Sequence, residues 1–204
     1  MFTSASIGVH RRPDSQFAIR EYRLDGMVLK PQDVYVVLKI LASRADRAPY
    51  SQLAAELVMS PSEVHACVRR SEGSRLLHGP QRKNRRNFAA LEEFLVHGLK
   101  YVFPPERGEV TRGVPTSYAA EPLRGLITQG DDLVPVWPYA EGKQRGIAFE
   151  PLYKTAPIAA LRDSCFYEYL ALADALRDGR ARERKAAEAG LCRRFREANE
   201  RLKS

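Results

Sequence analysis

Apolar positions recur at helical spacing from residue 31 onward. Val34, Val37, Leu38 and Leu41 fall at i, i+3, i+4 and i+7, one face of a helix that Pro31 is suited to open and Pro49 bounds. A second, shorter helix capped by Ser51 turns Leu53, Ala54 and Leu57 inward. The sharpest local signal follows at Ser60-Pro61-Ser62-Glu63. A serine N-cap, a proline at the first helical position and a glutamate at the third make a capping box. The helix it opens places Val64, Cys67 and Val68 on one face, and Gly73 is its expected terminus. Leu76-Leu77 then begins a strand, and the polar stretch from His78 to Asn87 suits a β-hairpin. Phe88, Leu91, Leu95, Leu99 and Val102 mark a fourth helix, stopped by Pro104-Pro105.

The texture changes at Pro104, after which prolines and glycines interrupt short apolar pieces as far as Pro157. Leu133–Trp137 and Ile147–Phe149 read as two short strands of a hairpin around Glu141-Gly142, and Pro135 confines the first to an edge. Helical spacing then returns with Phe166, Tyr169, Leu170, Ala173 and Leu176. A sparser stripe, Leu191, Phe195 and Leu202, runs along a densely charged last helix from about Arg180. Residues 1–29 are polar and basic with little periodicity and read as an N-terminal arm. The expected class is α+β: a helix-turn-helix with a hairpin wing over residues 30–103, then a proline-rich extension with a short hairpin and C-terminal helices over residues 104–204.

Charge sharpens this picture. The net charge is +8, and between His65 and Arg86 seven basic side chains stand against the single acid Glu72, so most of the excess sits in one short stretch. A helix-turn-helix lays its second helix in the DNA major groove. With Val64, Cys67 and Val68 facing the core, Ser62, His65, Ala66, Arg69 and Arg70 face outward. Ser60 and Ser62 stand at the helix start, where a phosphate or base edge is in reach. Arg69 or Arg70 has the fork that matches guanine. Arg82, Lys83, Arg85 and Arg86 in the wing suit the phosphate backbone or the minor groove.

The run Tyr50-Ser51-Gln52-Leu53-Ala54-Ala55-Glu56-Leu57, with Ser60-Pro61-Ser62-Glu63-Val64 and Val68-Arg69-Arg70, resembles the MarR-like winged-helix transcriptional regulators. The resemblance spans roughly residues 31–103 and departs at Met59, where such proteins often have glycine in the turn. It implies sequence-specific binding of double-stranded DNA as a repressing homodimer. The remainder, including Thr111–Thr116 and Asp174–Arg184, is similar to bacterial proteins that carry this N-terminal domain, some of which accompany nucleotidyltransferase-type toxins. That similarity implies an alternative: an antitoxin-like protein that neutralises a partner enzyme through its C-terminal half.

Other chemistry finds little footing. The three cysteines, Cys67, Cys165 and Cys192, have neither disulfide-framework nor zinc spacing, and Cys67 is expected to be a core residue. The four histidines are scattered, so no metal site is expected. No phosphate-binding glycine loop or nucleophile-elbow motif occurs, and neither catalysis nor a cofactor is expected. No apolar run reaches the ~20 residues of a membrane span, and the first residues hold no stretch of signal-peptide length. The expected place of action is the cytoplasm. Pairing of two copies is expected to use the stripe Phe166, Tyr169, Leu170 and Leu176 with the charged helix beyond it.

Overall fold

The computed structural model describes residues 28–43, 48–79, 81, 85–127 and 133–201. Helix α1, Pro31–Ala42, is buried on every side: Val34, Tyr35, Val36, Val37, Leu38, Ile40 and Leu41 are all nearly inaccessible. The expected single stripe was therefore too narrow. A helix apolar all round belongs in the middle of a fold, and α1 has neighbours on more than one flank. Helix α2, Tyr50–Leu57, and helix α3, Pro61–Gly73, pack on it from the N-terminal half. A later helix, Ser164–Asp178, packs on it from the C-terminal half.

Val58 links α2 to α3 in the left-handed region, with φ 55° and ψ 49°. That conformation crowds a Cβ and is hardest on a β-branched side chain. The Met59 N–H meanwhile bonds the Ala54 carbonyl and closes the turn at 2.9 Å. The glycine-like position is thus Val58, one residue before Met59. After α3 the chain turns at Arg75, φ 62°, whose carbonyl accepts from the Asn87 side chain. Leu77 and Arg86 form one antiparallel bridge, and the His78 N–H bonds the Arg85 carbonyl at 2.7 Å. These contacts are the base of the expected hairpin; Arg82 and Lys83 lie outside the described residues. Helix α4 runs through Phe88–Glu93, one π-helical turn over Phe94–Gly98, and Leu99–Val102.

Three strands follow: β1, Arg107–Pro115; β2, Pro135–Pro138; and β3, Gln144–Phe149. The two later strands were expected as a hairpin with an exposed edge, and the structure corrects both points. β2 and β3 run parallel to each other, each is antiparallel to β1, and the three close on themselves. β1 carries no strong apolar alternation and went unread in the sequence. Closure on so few strands requires backbones to touch. A Cβ on Gly113 would stand 2.0 Å from the Trp137 carbonyl oxygen, and one on Gly146 would stand 2.1 Å from that of Val134. Prolines are tolerated because they occupy the two ends of β2.

Helix α5, Ala156–Arg162, leads to α6, Ser164–Asp178, whose N-terminus is capped by the Asp163 carboxylate accepting from the Phe166 N–H. Helix α7, Ala181–Arg201, packs on α6 and α4. Ala187, Leu191 and Phe195 face inward, with the Phe195 ring against Phe88 and Tyr169. Phe166, Tyr169, Leu170 and Leu176 are likewise buried in the chain's own core. The surface expected to join two copies is therefore used inside one, and Leu202 lies outside the described residues. One hydrophobic cluster runs from Val34 to Phe195, so residues on both sides of Pro104 share a core.

The seam between β2 and α6 is polar and closed. Asp174 is fully buried and accepts from Thr116 and from the Trp137 indole N–H, both at 2.7 Å, and from Arg177 at 2.8 Å. Burial raises its pKa, opposed by Arg177 and the hydrogen bonds. The Arg177 guanidinium also donates to the carbonyls of Phe103 and Glu150, tying the end of α4 to the strands. No helix among the described residues is long and apolar enough to cross a membrane.

Candidate nucleic-acid interface

Helix α3 starts as its capping box requires. The Glu63 N–H donates to Ser60 Oγ at 3.2 Å, while Glu63 Oε2 accepts from the Ser60 N–H at 3.0 Å and from its hydroxyl at 2.8 Å. The Ser60 hydroxyl is thereby committed to the cap. These bonds hold the Glu63 carboxyl below its ordinary range, first through the Ser60 backbone N–H. Val64, Cys67 and Val68 face the core, as expected. Burial pushes the Cys67 thiol up to about 12, which leaves it an unreactive packing residue.

Ser62, His65 and Arg69 are exposed along α3 at i, i+3 and i+7, which aligns them as one outward row. The His65 ring meets the Tyr50 ring edge-on, 5.4 Å between centroids. Arg69 has no hydrogen bond or ion pair with any described residue, so its fork is open to solvent.

Three arginines expected on this surface belong to the interior. Arg70 donates from Nε and Nη2 to the two oxygens of Asp33, at 2.8 and 2.6 Å. Asp33 lies near the start of α1 and is wholly buried, and a carboxylate there must be paired. Arg85 donates to the Tyr50 hydroxyl at 3.0 Å, lies over that ring, and stands 3.8 Å from Glu72. Arg86 donates to the carbonyls of Ile40 at 3.1 Å and Ser43 at 2.7 Å, capping the C-terminus of α1 where carbonyls lack partners. With 9% and 5% of their surface exposed, Arg85 and Arg86 fix the hairpin base to α1 and α2 rather than meeting a phosphate.

The structure also brings in a segment that sequence reasoning left out. The Tyr153 hydroxyl donates to Glu63 Oε1 at 3.0 Å, and its ring packs 5.5 Å from Tyr35. Next to it, the Thr155 hydroxyl donates to the Leu57 carbonyl at 2.7 Å, and Tyr35 shares both of those partners. Lys154, between them, is exposed and acts on the Glu63 carboxylate by its charge. Ninety residues separate Glu63 from Tyr153, and no local pattern signals such a contact.

No family model, curated protein or solved structure matches this chain.

Proposed function

We propose that residues 30–103 act as a winged helix-turn-helix that reads double-stranded DNA with the outward face of α3. The observation that carries this reading is the row Ser62, His65 and Arg69. These side chains point away from the core on a helix whose start is capped and whose flank is pinned to α1 through Arg70 and Asp33. A helix held this firmly presents its polar row at a fixed angle, which is what groove recognition needs. Arg69, the one arginine of the α3 pair with an unengaged fork, is the residue assigned to a guanine. The bridged pair Leu77 and Arg86 beyond α3 supports the wing reading, and Arg82 and Lys83, which fall between them in the sequence, are assigned the contacts to the DNA backbone.

One such helix reads only a few base pairs, so a repressor built this way acts in pairs on half-sites. Its pairing surface then lies elsewhere than the faces of α6 and α7 buried inside the single chain. Selection from a randomised duplex pool, followed by anisotropy titrations on the enriched sequence and a scrambled one, tests the reading. Arg69→Ala is expected to cost ~1–3 kcal/mol on the enriched duplex and little on the scrambled one. A pool that never enriches would refute DNA reading. Equal losses on both duplexes would make Arg69 a phosphate clamp and remove the base-reading assignment.

A further inference from the structure

The start of α3 poses an electrostatic difficulty for that reading. Glu63 puts a carboxylate on the first turn of the reading helix, where an approaching phosphodiester backbone would meet like charge. Its two oxygens are both engaged, Oε2 by Ser60 and Oε1 by Tyr153, and the positive charge of Lys154 bears on it. Lys154 has no ion pair or hydrogen bond with a described residue, and its ammonium stands 6.0 Å from the Tyr153 ring centroid. Its backbone is not free to wander. The flanking residues Tyr153 and Thr155 are fastened to Glu63, to the last carbonyl of α2 and to Tyr35 in the core.

We propose that Lys154 is a phosphate-contacting residue, carried to the edge of the reading surface by the C-terminal half, and that Tyr153 is the residue that positions it. The proposal rests on the DNA-binding reading and deepens it. The ligand is the sugar–phosphate backbone flanking the bases read by α3. A lysine is suited to this task because it acts as a point charge with rotatable donors and needs no planar partner. Tyr153 serves twice: its hydroxyl occupies the Glu63 oxygen that would otherwise face the phosphate, and its ring sets the direction of the neighbouring residue. The interface is thus composite, with bases read by residues 61–73 and part of the backbone held from residue 154.

The test uses the full chain and the duplex enriched by selection, with affinity measured from low to high salt. Each phosphate contact contributes about 0.9 to the slope of log K against log salt. Lys154→Ala is expected to lower the slope by about one contact on the enriched and scrambled duplexes alike, without changing base preference. Lys154→Arg is expected to keep the wild-type slope. Because the side chain is exposed, the melting temperature of both variants should match wild type, which excludes misfolding as the cause. Tyr153→Phe keeps the ring and removes only the bond to Glu63; it should weaken binding by less than Lys154→Ala. An unchanged slope in Lys154→Ala, while wild type still binds with sequence preference, overturns this proposal and leaves the reading of α3 intact. Absence of duplex binding by wild type overturns both.

Discussion

Replacing Arg70 by alanine separates a structural arginine from a reading one. In the folded chain Asp33 accepts three hydrogen bonds, one from the Lys30 N–H at 2.8 Å and two from the Arg70 fork. The substitution removes both charged donors and leaves a carboxylate whose surface is 0% exposed. Breaking a buried pair from one side costs about 3–5 kcal/mol. The Arg70 side chain is 13% exposed, so water can reach the gap it leaves, and the lower end of that range applies, roughly 3 kcal/mol. At about 2–4 °C per kcal/mol for a chain of this size, the melting temperature should fall by about 6–12 °C. Thermal unfolding followed by circular dichroism reads this directly. Asp33→Asn added to Arg70→Ala should recover part of the loss, because the stranded charge is gone. Arg69→Ala, one residue away but exposed, should leave the melting temperature within about 1–2 °C of wild type, a surface change of at most about 0.5 kcal/mol. A melting temperature of Arg70→Ala within about 2 °C of wild type, or no recovery in the double variant, would refute the reasoning from burial.

Val58→Asn should stabilise the protein by about 1 kcal/mol, seen as a higher urea midpoint, since asparagine adopts the left-handed region more readily and Val58 is already 38% exposed; a lower midpoint would count against strain in the turn. Lys39, only 5% exposed, pairs with Glu56 at 2.7 Å and Asp163 at 2.6 Å. Burial favours the neutral forms of these carboxyls, yet the bonds to Lys39 hold Glu56 below 4.5 and Asp163 below 3.8. Their stabilising contribution is complete above those ordinary values and is lost as pH falls through the lowered ones. The stability difference between wild type and Lys39→Met, from urea unfolding, should therefore be largest near neutral pH and shrink on acidification below about pH 4.5; a difference independent of pH would show that the pair contributes no linkage. Gly113→Ala should cost at least about 3 kcal/mol, because its Cβ meets a carbonyl oxygen and not a side chain that can swing away; near-wild-type stability would mean the three strands are not closed in solution.

The helices of the N-terminal half were legible because their signals are local. Pro31, the capping box at residues 60–63 and the spacing from Phe88 to Val102 each act within a few turns of chain. The inward face of α3 was legible for the same reason. Which arginines of residues 69–86 are free was not legible, because the decision lies in partners 35 to 46 positions away: Asp33 for Arg70, Tyr50 for Arg85, Ile40 and Ser43 for Arg86. A basic run looks alike whether its charges meet water or buried carbonyls. The strands misled for a different reason. A turn at Glu141-Gly142 normally joins antiparallel partners, whereas here β2 and β3 run side by side in the same direction, with close backbone approaches at Gly113, Gly142 and Gly146. The apolar stripe of α6 was expected to join two copies, but it packs on α1, α4, α5 and α7 of the same chain.

Trp137 is the single tryptophan of the chain, and its indole sits almost fully enclosed with its N–H on Asp174 and its ring 5.6 Å from that of Tyr167. The one tryptophan therefore sits at the seam of β2 and α6, and none lies among α1 to α4. Its emission reports on a region far along the sequence from the reading helix, while far-ultraviolet dichroism reports on all the helices together. Because one apolar cluster spans both halves, the two signals should change along a common curve with urea. An emission change that comes before the loss of dichroism would mean that the tryptophan seam opens while the N-terminal helices still stand.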